Sequence, residues 1–158
     1  MKVKLNFTVM RSNAGELREL LELASREGFD VSLIELVPVE PNGLEWWRRE
    51  HVGLGEVEAE LSSLASYFYR RELHRRPVYV LPSGAKVDVV KGYADLEMCS
   101  ACVRLRVSPE GVARACLYGG PSLDLRPWLR TGDLEGLIGA LSYFWLSRSP
   151  TYRARRGA

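Results

Sequence analysis

"VKLNFTVMRSNAGELRELLELASREGFDVSLIELVPV", residues 3–39, changes hydrophobic period twice. Val3, Leu5, Phe7 and Val9 fall on one side of an alternating run, the period of a β-strand. Leu17, Leu20, Leu21 and Ala24 then recur at helical spacing. Gly28 stops that helix, and Asn13 with Glu16 three residues on is placed to cap its start. "DVSLIELVPV" is short, apolar and rich in Val and Ile, which predicts a second, well-buried strand ending near Pro38. Strand, helix, strand in under forty residues is a βαβ unit, and its two strands run parallel.

The pattern breaks over residues 40–55, where Pro, Asn and Gly signal a loop anchored by Trp46 and Trp47. These indoles suit interdomain packing better than base stacking. A second helix is predicted from Leu54 to about Arg70, burying Val57, Leu61, Leu64 and Phe68. "RRPVYVLPSGAKVDVV" reads as two strands joined at "PSG". "VRLRVSPEGVARACL" is a second hairpin, turning at Ser108–Gly111. "LRPWLR" predicts a helical turn. A last helix follows Asp133, with Leu141, Phe144 and Trp145 in its core face and Ser149–Pro150 beyond it. The tail "RARRGA" is basic, and a mobile end is expected there.

At 158 residues, 46% apolar and 27% charged, the composition is that of a globular protein. No apolar run reaches the roughly eighteen residues of a membrane span. The start reads as a strand rather than a signal peptide, so the expected location is cytoplasmic, with no membrane partner. The net charge of +2 hides an asymmetry. From Cys99 onward stand nine arginines and no lysine against four acids, so that part carries +5 and the remainder −3. Arginine grips phosphates and carboxylates as a planar fork, which points to an anionic ligand or a basic surface. Arg70, Arg71, Arg75 and Arg76 have Glu72 among them and no aromatic platform, so a solvated helix end is expected and no specific nucleic acid. Glu35, at the end of its strand, is a candidate either for the site or for a solvated loop. His51 and His74 read as surface residues.

All three cysteines lie in one stretch, spaced C-x2-C-x13-C: Cys99, Cys102 and Cys116. The first pair shares one turn, and the hairpin returns the third toward them. Structural zinc takes four closed ligands, and neither histidine has ligand-like spacing to the trio. An iron–sulfur cluster on three thiolates would keep one iron open. Arg104 and Arg106, two apart on a strand, share a face beside Cys102. The residues alone leave three readings open: an open cluster, a small structural zinc site, or a solvated basic hairpin.

"CSACVRLRVSPEGVARACL", residues 99–117, resembles the C-terminal cluster motif of the MoaA family, radical-SAM GTP cyclases of molybdenum cofactor biosynthesis. The shared pattern is C-x2-C-x-R-x-R-(L/V)-x-x-x-G-x4-C-L. "VKLNFTVMR" resembles the family's late barrel strand and "VSLIELVPV" its last one. "PVYVLPSGAKVDVV" and "LDLRPWLRTG" resemble the segments flanking the cysteines. The resemblance implies an α/β fold of α+β character. A partial TIM-barrel βαβ unit would fill residues 1–45, and a hairpin-and-helix region carrying the cysteines residues 46–158. It implies that Cys99, Cys102 and Cys116 hold a [4Fe–4S] cluster, with zinc as the alternative. It implies that Arg104, Arg106 and Lys4 bind GTP or a related purine nucleotide.

The sequence departs from the family in three places. It has no cysteine before Cys99, hence no C-x3-C-x2-C motif and no S-adenosylmethionine site. Ser32 stands where the family strand carries an arginine, and the tail ends "RRGA" where the family has two glycines. The resemblance therefore assigns no catalytic residue here, and the chain by itself is not expected to cyclise GTP. It is expected to act with a separate radical-SAM half, or to be a nucleotide-binding or zinc-stapled module that has lost the reaction. An unpaired barrel edge calls for a neighbour, either that half or a second copy.

Overall fold

The computed structural model describes residues 1–38, 44–92, 95–116 and 120–147. The basic tail and Ser149–Pro150 lie outside the described residues. The chain groups into two compact units, Met1–Ala101 and Cys102–Ala158.

The first unit opens with β1 (Lys4–Val9), a 3-10 turn (Ala14–Glu16), α1 (Leu17–Glu27) and β2 (Asp30–Glu35). β1 and β2 pair in parallel, Lys4 opposite Asp30 and Val9 opposite Glu35, as the alternating pattern predicts. Gly28 ends α1 with φ +74°, the left-handed geometry that glycine adopts without a Cβ penalty. The predicted Asn13 cap does not form. Asn13 Oδ1 instead accepts from the Met10 amide at 2.8 Å while its Nδ2 donates to the Thr8 carbonyl at 3.0 Å, tying the strand end to the turn.

Beyond Pro38 the structure corrects two expectations. Trp46 and Trp47 belong to a short helix, α2 (Leu44–Glu50), rather than to a loop. The next helix, α3 (Gly55–Leu64), stops six residues short of Arg70. Tyr67–Arg70 forms β3 instead, and Phe68 is 48% exposed rather than buried. Tyr-Phe-Tyr favours a pleated strand, and pairing with β4 (Pro77–Val80) outweighs the helical spacing. β4 turns back antiparallel into β5 (Lys86–Val90), the predicted hairpin.

The resulting sheet has the order β1-β2-β5-β4-β3. β5 runs parallel to β2, so the sheet is parallel on one side and antiparallel on the other. Its two faces differ in chemistry. One carries Phe7, Val9, Val31, Leu33, Tyr79, Val87 and Val89, packed with Leu17, Leu21 and Ala24 of α1 and Leu61 of α3. The opposite face, by strand alternation, carries Lys4, Asn6, Thr8, Ser32 and Asp88 beside the apolar Ile34, Val78, Val80 and Val90. The short α4 (Leu96–Ser100) packs against the Leu73–Arg75 turn and closes this unit.

The second unit is a three-stranded antiparallel sheet, β6 (Arg106–Val107), β7 (Val112–Arg114) and β8 (Ser122–Asp124), with α5 (Arg126–Thr131) and α6 (Leu134–Leu146). Its core is small: Ala113, Ala115, Leu125 and Phe144, flanked by Leu123, Leu137 and Leu141. Asp133 caps α6, accepting from the Gly136 amide at 2.9 Å. Among the described residues, no helix is long and apolar enough to cross a membrane.

Candidate functional site

The hairpin that carries the arginines forms at the predicted turn. The Gly111 amide donates to the Ser108 carbonyl and the Ser108 amide to the Val112 carbonyl, both at 2.9 Å. Gly111 has φ +79°, the left-handed residue that lets a three- to four-residue turn match strand twist. Arg106 lies opposite Arg114 across the hairpin. The paired stretch covers Arg106–Val107 and Ala113–Arg114; Cys102 and Arg104 precede it and Cys116 follows it. In sequence, a thiol and two guanidinium groups alternate at Cys102, Arg104 and Arg106. Arg104 is exposed and Arg106 half-buried.

Cys99 is buried on α4, in the first unit, while Cys102 and Cys116 are half-buried and belong to the second. Among the described residues, no three side chains of His, Cys, Asp or Glu stand together as a metal site. The donor chemistry nonetheless suits a soft metal. Thiol ligands as a class suit zinc and iron–sulfur clusters alike.

Lys4 stands on the polar face of the first sheet. Its ammonium reaches across β2 to Asp88 Oδ1 on β5. Asp88 is 1% exposed and also accepts from Ser32 Oγ at 2.8 Å and, through Oδ2, from Arg76 Nη1 at 3.0 Å. Arg76 is thus no part of a solvated helix end: its side chain is only 15% exposed. His74, expected at the surface, is buried. Asp88 and Arg76 escaped the sequence reading. A lone acid inside the apolar run "VDVV" was the available signal, because a buried charge demands a partner.

At the carboxyl end of β2, Glu35 is buried rather than solvated. Glu35 Oε1 meets His51 Nε2 at 3.1 Å, and the His51 ring lies 4.6 Å from that of Trp47. Trp47 Nε1 donates to the Leu36 carbonyl at 2.9 Å. His51 also bridges to Met10 at the end of β1. This group ties α2 to the strand ends, a packing role for Trp47. Trp46 is half-exposed.

Residues 29–154 match the family model described as Molybdenum Cofactor Synthesis C. The chain is 42% identical over 117 residues to a "Probable GTP 3',8-cyclase" of Saccharolobus islandicus (strain M.14.25 / Kamchatka #1), covering 73% of this chain and 37% of that protein. A protein of the same name from Saccharolobus solfataricus matches at 42%, and one from Metallosphaera sedula at 38%. The chain thus spans little more than a third of the length of these relatives, 36–37%.

Proposed function

The chain belongs to the Molybdenum Cofactor Synthesis C family, and from that membership we propose that it is the cluster-bearing, GTP-binding part of a GTP 3',8-cyclase. Cys99, Cys102 and Cys116 would hold a [4Fe–4S] cluster. Held by three thiolates, such a cluster keeps one iron open as a soft acceptor for a purine nitrogen. Arg104 and Arg106 would grip the nucleotide's anionic groups through paired N–H donors. Lys4 would face the phosphates from the polar side of the first sheet. The radical-generating half, with its C-x3-C-x2-C motif, would come from a separate chain or from another part of a longer one. Paired with it, β1 and β2 would form late strands of a barrel, which gives the outer edge of β1 a neighbour. Val3 and Leu5, 42% and 39% exposed beside that edge, support such a neighbour.

One observation carries this reading. Cys102, Arg104 and Arg106 alternate in sequence on the run that enters the hairpin, and Cys116 lies two residues beyond Arg114, the partner of Arg106, on the returning arm. Anaerobic reconstitution tests it: the protein should take up iron and sulfide and absorb near ~400 nm. GTP should then bind, and the double substitution Arg104→Ala, Arg106→Ala should weaken it at least ~10-fold, the loss of one or more charge-assisted contacts. Unchanged affinity in the double variant refutes the nucleotide site. Colourless protein carrying one zinc per chain refutes the cluster and leaves a zinc-stapled module.

A further inference from the structure

β3 is the last strand of its sheet, and no strand of that sheet lies on its outer side. We infer that this edge joins two copies of the chain, β3 pairing antiparallel with the β3 of a second copy about a two-fold axis at Tyr69. The inference stands apart from the nucleotide reading and needs neither cluster nor GTP.

The first observation is which backbone groups the edge leaves open. The Arg71 amide donates to the Arg76 carbonyl at 3.0 Å, closing the connection from β3 to β4. Bonded residues alternate along an antiparallel ladder, so Tyr69 and Tyr67 turn their N–H and C=O groups toward Val78 and Val80, their partners on β4. Phe68 and Arg70 therefore turn theirs outward. Such a row is a template for another strand.

The second is what the edge is made of. Edge strands are ordinarily blunted by lysine or proline. β3 reads Tyr-Phe-Tyr-Arg, and Tyr67 and Phe68 are exposed, with exposed Leu64 before them and Leu73 after. The rings of Tyr67 and Tyr69 stack on one face, centroids 6.2 Å apart. On the other face Arg70 Cζ stands 5.9 Å from the Phe68 ring centroid, and Glu97 holds the same guanidinium through Nη1 at 3.2 Å. Aromatic surface and a fixed cation lie side by side along a strand that is open to pairing.

The third is that the edge complements itself in one register. The outward groups permit an axis at Phe68, Tyr69 or Arg70. An axis at Arg70 opposes two guanidinium groups, which destabilises the pair. An axis at Phe68 brings Arg70 against Ser66, whose amide already donates to the Val80 carbonyl at 2.8 Å. An axis at Tyr69 sets Phe68 against the partner's Arg70, and Arg70 against the partner's Phe68, each pair exchanging both N–H···O bonds. Each guanidinium then meets a ring of the other copy, an attraction of cation and π face. Tyr69 meets its own copy on the opposite face, at the close spacing of a non-hydrogen-bonded pair. Four residues of strand bury less than the roughly 1,600 Å² of a standard interface, so the dimer is a reversible one.

Sedimentation velocity of the full chain tests it, with a reductant present so that the cysteines cannot link copies. From about 1 to about 300 µM, a span suited to a small interface, monomer should give way to dimer. Phe68→Lys opposes an ammonium to the partner's Arg70 and should weaken the dimer about 10- to 100-fold. Phe68→Glu opposes a carboxylate to the partner's Arg70 and should keep the dimer, whereas an axis at Phe68 would oppose two carboxylates and lose it. If either variant fails to fold, amide exchange in the unmutated chain decides. The Phe68 and Arg70 amides should exchange more slowly at high concentration than at low, while those of Tyr67 and Tyr69, already bonded to β4, should not change. A monomer throughout the range, an equally tight dimer in Phe68→Lys, loss of the dimer in Phe68→Glu, or exchange at Phe68 and Arg70 that ignores concentration each overturns the inference. Iron uptake and GTP binding are read separately, so the cyclase reading stands or falls on its own.

Discussion

Replacing Asp88 by Asn keeps the shape of the side chain and removes its charge. The amide would set one oxygen and one NH2 group against three donors, Lys4 Nζ, Ser32 Oγ and Arg76 Nη1. The three contacts do not weigh equally. The Arg76 side chain is 15% exposed and Asp88 2%, so this pair is shielded from water. Removing one partner of a buried ion pair costs about 3–5 kcal/mol. Lys4 is a third exposed, where solvent screening reduces an ion pair to about 1 kcal/mol or less. The Ser32 contact adds about 1 kcal/mol, and the terms overlap because all share one carboxylate. The expected loss is therefore about 4 kcal/mol, a large share of the 5–15 kcal/mol typical of a folded domain. Urea unfolding followed by tryptophan fluorescence reads it directly. With m of about 2 kcal/mol/M, the midpoint should fall by about 2 M at unchanged m. Lys4→Met should cost about 1 kcal/mol or less. If Asp88→Asn loses under 1 kcal/mol, or Lys4→Met loses as much as Asp88→Asn, Asp88 is not the buried hub described above.

Three further outcomes are expected. Gly111→Ala forces a Cβ into φ +79° and to within 3.1 Å of Arg126 Cγ, so the second unit should lose about 1–2 kcal/mol in thermal unfolding. Asp124 accepts from Arg126 Nε and Nη2, and that hydrogen bonding first, with the Arg126 charge behind it, lowers its pKa from 3.8 to about 2. A lowered folded-state pKa stabilises above the unfolded value, so this contribution fades as pH falls from about 4 to about 2. Unfolding measured through that window should show the fade, high salt should shrink it, and Asp124→Asn should abolish it. Cys116→Ser should lower the iron retained after reconstitution and desalting, and unchanged iron content would remove Cys116 from the ligand set.

Much of the molecule follows from neighbours in the chain. β1, α1 and β2 have apolar spacing that only one local conformation can bury, and Gly28 ends the helix where a left-handed residue is needed. The two hairpins announce themselves by their turn residues, and the Asp133 cap by its place before an apolar helix. Local pattern misleads where partners are distant. Phe68 continues a helical spacing, yet pairing with Tyr79 on β4 draws it into a strand, with ring centroids 5.2 Å apart. Asn13 looks like a helix cap, yet the β1 end claims its side chain. Glu35 and His51 look solvent-facing until α2 folds against the strand ends.

The sequence by itself determined the elements, the thiol and arginine spacing, and which residues of each strand share a side, because those depend on dihedral preferences and short-range periodicity. Only the tertiary structure decided that β5 lies between β2 and β4. That neighbour relation brings Asp88 to Ser32, 56 residues away, and to Lys4, 84 residues away. Alternation says which face a side chain takes but not which strands will pair. Pairing is settled by burying the Val31, Leu33, Val87 and Val89 face against α1 and α3. The polar cluster on the other side is the consequence of that burial.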